Sequence, residues 1–129
     1  MKKFLKWSGL VLLAMIVIMI IYSVFGLDQT LKLNIKTVDL TQISDGNYTG
    51  SYDCYRWSNK VKVTVIDHRI TEIQALKLQD GREKLVKNLT QRIIDQQSPA
   101  VDVISGATAS SNGYLRAVEF ALKNASTNP

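Results

Sequence analysis

Residues that usually carry chemistry are scarce in this 129-residue chain, which has one cysteine, Cys54, and one histidine, His68. A single cysteine excludes an internal disulfide, so the fold must rest on packing alone. One of each also leaves too few ligands for a Cys/His zinc site, and no metal site is expected. A Ser-His-Asp arrangement would have only His68 to draw on, and His68 falls in a predicted hairpin turn, where an exposed residue is expected. No pair of carboxylates stands out by spacing. Cys54 lies on a predicted strand and reads as a small core residue rather than a reactive thiol.

Strong charge bias is also missing. The formal net charge is +5, but Lys2, Lys3 and Lys6 supply three of those charges, leaving the remaining residues close to balance and well mixed. No basic surface of the kind that binds nucleic acid is expected. Charge is absent altogether from Trp7 to Leu27, where Leu10-Val-Leu-Leu-Ala-Met-Ile-Val-Ile-Met-Ile-Ile is unbroken apolar sequence. A run of about 20 such residues matches a bilayer core as a helix. The lysines before it predict a cytoplasmic N-terminus with the rest of the chain outside, and Trp7, Tyr22 and Phe25 fit interfacial anchoring. A cleaved signal peptide is the competing reading, but the run is longer than a usual signal core and no Ala-x-Ala site follows it.

Four stretches are expected: residues 1–27 as cytoplasmic N-terminus and membrane anchor, 28–44 as a stalk, 45–126 as the folded domain, and 127–129 as a tail. In the stalk, Leu31, Leu33 and Ile35 alternate with Lys32, Asn34 and Lys36, a strand-like or extended pattern. A strand containing Tyr48, Gly50, Tyr52 and Cys54 on one face comes next. The clearest strand is Lys60–Ile66, with Val61, Val63 and Val65 inward. After the turn Asp67-His68-Arg69, a third strand has Ile73 and Ala75 on one face and Ile70 out of step, which a bulge would explain. Short connections predict an antiparallel meander. Asp80-Gly81 ends the sheet pattern. Leu85, Val86, Leu89, Ile93 and Ile94 then form a helical stripe that should stop before Pro99. A last helix is expected to start near Ser110 or Ser111, either a good N-cap, and to bury Tyr114, Ala117, Val118, Ala121, Leu122 and Ala125. The expected fold is α+β: a small antiparallel sheet against two helices, preceded by one transmembrane helix.

Between the helices lies Val101-Asp-Val-Ile-Ser-Gly-Ala-Thr-Ala-Ser-Ser, made mostly of small residues. Local physics permits two readings. One is a loop capping the following helix. The other is an anion site, since a helix N-terminus offers free N–H donors and partial positive charge, and Gly106 and Ala107 leave the backbone open.

The chain from Ile43-Ser-Asp-Gly-Asn-Tyr-Thr-Gly-Ser-Tyr, through Val61–Ile73 and Ile93-Ile-Asp-Gln-Gln-Ser, to Val101–Ser111 and the last helix resembles the FMN-binding domain family. That family includes flavin-carrying subunits of sodium-pumping and related ion-translocating oxidoreductases, and small membrane-anchored flavoproteins. The resemblance implies FMN joined as a phosphoester to the threonine of a D-x-x-[ST]-G-A-T motif, here Asp102-Val-Ile-Ser105-Gly106-Ala107-Thr108. It names Thr108 as the attachment point, Ser105, Gly106 and Ala107 as the loop that shapes it, and Asp102 as the acidic position read by the modifying enzyme. That enzyme is a flavin transferase using FAD and magnesium. A threonine hydroxyl is a weak nucleophile without a nearby base, and the loop has no histidine or lysine, which agrees with the need for a helper. Where many relatives have a glycine-rich stretch, this chain has Asp53-Cys-Tyr-Arg-Trp; Tyr52, Tyr55 or Trp57 either cover the isoalloxazine ring or pack on a sheet face.

The function implied is a membrane-anchored, extracytoplasmic electron carrier passing electrons between membrane or surface redox partners, rather than a self-contained enzyme. A non-redox accessory module of the same fold, or a flavin-bearing subunit of a larger oxidoreductase, are the alternatives.

Overall fold

The computed structural model describes residues 1–78 and 81–127. Helix α1, Lys2–Val24, buries none of its residues against the rest of the chain. At about 1.5 Å per residue it spans roughly 34 Å, against a hydrocarbon core of about 30 Å. It is long and apolar enough to cross a membrane and is a candidate anchor.

After Gly26 the chain forms a five-residue helix, α2 (Leu27–Leu31). Periodicity did not reveal this helix, because one turn is too short to show a stripe. Residues 33–39 then run extended without joining the sheet. Leu33, Ile35, Val38 and Leu40 pack against the core, and Lys32, Asn34 and Lys36 face outward. The two-residue alternation therefore records one-sided packing, not strand pairing. A 3₁₀ turn at Leu40–Gln42 leads to the fully buried Ile43.

Strands β1 (Gly46–Tyr52), β2 (Asn59–Ile66) and β3 (Arg69–Lys77) form an antiparallel meander in the order β1-β2-β3. Val61, Val63 and Val65 face inward as the alternation predicts. Asp67 and His68, at φ +52° and +60°, make the β2–β3 turn, the left-handed pair that matches strand twist in tight hairpins. His68 is exposed there, as expected. Its Nδ1 also lies 3.1 Å from Leu40 O and 3.0 Å from Ile43 O, so it pins the incoming segment to the hairpin. The expected bulge is present. Thr64 pairs with Glu72 while Val65 pairs with Ile70, so Thr71 is the extra residue and Ile70 returns to the core face with Ile73.

Helix α3 (Glu83–Gln96) buries Val86, Leu89 and Ile93 and ends at Gln97 in the left-handed conformation, before Pro99. The Gln97 amide then acts as a missing strand partner for β3. Its Oε1 accepts from Ile70 N at 2.7 Å, and its Nε2 donates to Ile70 O at 3.0 Å and to Ile94 O at 2.7 Å. Helix α4 (Thr108–Thr127) buries all six residues expected of it. It lies across β1 and β2 while α3 sits against β3, giving a helical layer on one sheet face. Gly50 marks the crossing with α4, where any side chain would strike the backbone of Ala117 and Ala121.

One boundary differs from expectation. Helix α4 starts at Thr108, and neither Ser110 nor Ser111 is its cap. Ala107 O accepts the first helical bond, from Ser111 N at 2.9 Å. The buried Ser111 hydroxyl accepts instead from Ile104 N at 3.2 Å, satisfying a donor of the loop rather than of the helix.

Candidate functional site

The earlier start of α4 decides where the small-residue loop can act. Ala107 N donates to Ile104 O at 3.0 Å and closes a turn around Ser105-Gly106. Gly106 sits at φ +79° with open space where a Cβ would lie, so backbone conformation, not crowding, favours glycine. Thr108 follows as the first helical residue and is half-buried. Near the base of the loop, Arg92 of α3 donates to Asp102 O at 2.9 Å.

Gly106, Ala107 and Thr108 open onto a cleft of about 320 Å³, with Ala109 and Ser110 continuing the same wall. That volume is at the lower end of the usual range for small-molecule sites, roughly 300–1,000 Å³. Leu27 and Leu31 of α2, Trp57 from the β1–β2 connection, and Arg82 before α3 complete it. The N–H groups of Thr108, Ala109 and Ser110 precede the first helical bond and have no hydrogen-bond partner among the described residues. Helix dipole and Arg82 charge both favour an anion here. Among the described residues, Arg82 is also the only ionisable side chain lining the cleft. A guanidinium is a hydrogen-bond donor without an acceptor, suited to holding a phosphate oxygen.

Of the five residues singled out from sequence, Gly106, Ala107 and Thr108 come together in the cleft. Ser105 is exposed on the turn beside it, and the Asp102 side chain is exposed at the foot of the loop. Leu27, Leu31 and Arg82 join from distant positions that no local pattern marks. The three aromatics considered as ring covers separate clearly. Tyr52 is buried, its hydroxyl 2.9 Å from Thr30 Oγ1, and burial pushes its phenol above the ordinary value. Tyr55 packs edge-on against Phe25 at 4.6 Å and Tyr22 at 6.1 Å, on the anchor. Trp57 alone lines the cleft. Its carbonyl accepts from Asn59 Nδ2 at 2.9 Å, and its N–H donates to Cys54 O at 2.9 Å. The indole Nε1–H is buried without a hydrogen-bond partner among the described residues. An unsatisfied buried donor costs about 1–3 kcal/mol.

A hollow of about 400 Å³ on the outer face of α3 is lined by Lys84, Lys87, Asn88, Gln91 and Arg92. All five are polar or charged side chains of one helix, and the hollow reads as a solvated face.

Fold and cleft together define a small α+β module with a helix N-terminus, an arginine and one tryptophan around a single cleft. A family model described as FMN-binding domain matches residues 57–123, from Trp57 across the whole cleft loop and most of α4. The chain belongs to that family. It is similar to the crystal structure of the CPE2226 protein from Clostridium perfringens, at 29% identity and a TM-score of 0.54, covering 66% of this chain and 90% of that one. No curated protein matches the chain. Family membership supports flavin binding with FMN as the cofactor.

Proposed function

We propose that the protein is a membrane-anchored electron carrier whose FMN is joined through its phosphate to Thr108 Oγ1. The observation that carries this reading is the placement of Thr108. It is half-buried at the first position of a 20-residue helix and lines a cleft with free backbone donors and Arg82. A phosphate on that hydroxyl meets the helix N-terminus, where it is favoured electrostatically. Gly106 and Ala107 keep the approach open, and Ser105 holds the exposed corner of the turn.

With no carboxylate, histidine or lysine among the described residues that line the cleft, the chain supplies the acceptor and its placement, and a flavin transferase supplies the catalysis with FAD and magnesium. Attachment forms one Oγ1–phosphorus bond and breaks the FAD pyrophosphate, so AMP leaves and the hydroxyl proton passes to the transferase. The exposed Asp102 side chain is accessible to that enzyme. Bound FMN supplies reversible electron transfer, and redox partners in the membrane or at its surface give and take the electrons. The lysines before α1 support an extracytoplasmic domain, where a covalent tether prevents loss of cofactor.

Co-expression with a matching flavin transferase tests this. The expected result is a yellow-green fluorescent band that survives a denaturing gel and disappears in Thr108→Ala. Wild-type protein that stays dark beside an active transferase, or a variant that stays fluorescent, overturns the attachment.

A further inference from the structure

Trp57 combines two properties that its place in the core does not explain. It is 8% exposed and lines the cleft, yet its indole Nε1–H has no partner among the described residues. Buried donors in folded proteins are nearly always paired, so an orphan beside a cleft points to a partner that the ligand brings. The neighbouring residues indicate which part of the ligand. The phosphate end is served by the backbone donors of Thr108, Ala109 and Ser110 and by Arg82. Leu27 and Leu31 of α2 stand on the same cleft with Trp57 and offer only apolar surface, suited to a flat aromatic ring.

We propose that Trp57 donates a hydrogen bond from Nε1–H to an acceptor atom of the isoalloxazine ring, with Leu27 and Leu31 covering the ring. This rests on the reading that flavin occupies the cleft at Thr108. Trp57 is a positioning and tuning residue in this arrangement. A donor aimed at the ring stabilises the electron-rich reduced form more than the oxidised form, so the hydrogen bond raises the reduction potential. The ring also lies beside α2, which directly follows the anchor helix, so electrons enter and leave close to the membrane surface.

The test uses the full chain in micelles, ¹⁵N-labelled and produced with and without the transferase. Its two tryptophans are distinguished by Trp7→Phe, at an exposed position of α1. With flavin present, the Trp57 indole N–H resonance should move downfield and exchange more slowly with solvent. Trp57→Phe keeps the bulk and removes the donor; it should load flavin, shift the visible band and lower the reduction potential. An unchanged indole resonance in flavin-loaded wild type overturns the proposal even if the variant fails to fold. An unchanged band and potential in a loaded variant does the same. The gel reads attachment separately. If the band is absent, free FMN is titrated into the same sample: an indole shift then upholds the Trp57 contact while the covalent reading falls, and no binding at all overturns both.

Discussion

Tyr114 is buried on α4 with its hydroxyl 2.6 Å from Thr90 Oγ1 of α3, and burial pushes its phenol up to about 12 from 10.0. The folded state therefore holds this proton more tightly than the unfolded chain does. The stabilisation is fully present below pH 10. It fades as pH rises toward 12, because only the unfolded state releases the proton in that window. One pH unit inside the window is worth about 1.4 kcal/mol. Tyr114→Phe removes the Thr90 contact and should cost about 1 kcal/mol at pH 8. The variant should lose less stability than wild type between pH 8 and pH 11, so the difference between them should shift by about 1.4 kcal/mol in the variant's favour, closing the gap and slightly reversing it. Melting midpoints at the two pH values check this, and a constant gap would refute it. Glu119 is a different case at the same scale. It is fully buried on α4, with Arg116 Nη1 at 3.0 Å and Lys123 Nζ at 2.7 Å. Spacings of three and four residues look the same in sequence whether the pair is solvated or folded over a buried carboxylate, so sequence gave no sign of it.

Among the elements, β1 and α4 cross with no room for a side chain at Gly50. A methyl at Gly50 would collide with Ala117 O and Ala121 N, backbone atoms that move only if α4 lifts from the sheet. Gly50→Ala should destabilise by about 1–3 kcal/mol or more, whereas Thr49→Ala on the exposed face should stay within about 0.5 kcal/mol. For a domain of this size each kcal/mol moves the melting midpoint by roughly 4–8 °C, so the two variants should separate clearly; equal midpoints would mean the helix is not seated on Gly50. Elements whose burial repeats along the chain were legible in sequence: Val61, Val63 and Val65 on β2, the α3 stripe, the six inward residues of α4, and the bulge inferred from Ile70. Long-range polar pairing was not. Gln97 completing β3 and Ser111 serving Ile104 N depend on groups 27 and 7 residues away, and ordinary polar residues carry no mark of such partners. The cleft divides along the same line. Its Gly106–Thr108 wall forms one continuous motif, while Leu27, Leu31 and Arg82 reach it only through the fold.

At the scale of the whole molecule, α1 and the β1–β2 connection meet through specific contacts. Arg56 Nη1 donates to Ser23 O at 3.4 Å, and Tyr55 packs on Tyr22 and Phe25. Just beyond, the fully buried Thr30 donates to Gly26 O at 2.7 Å and meets Tyr52 OH, while Asn112 Nδ2 of α4 donates to Thr30 O at 3.0 Å. Removing α1 alone takes away the Arg56–Ser23 and Tyr55–Tyr22 contacts. Removing α2 as well leaves the Asn112 amide and Tyr52 hydroxyl without these partners, at about 1–3 kcal/mol each where they stay buried, and strips Leu27 and Leu31 from the cleft. A chain beginning at Gly26 should therefore melt close to the full-length domain and still accept flavin. A chain beginning at Leu33 should melt at least several degrees lower and show weaker in-gel flavin fluorescence under the same co-expression. If the two shortened chains melt together and load flavin equally, α2 is only a tether, and the cleft is complete without it.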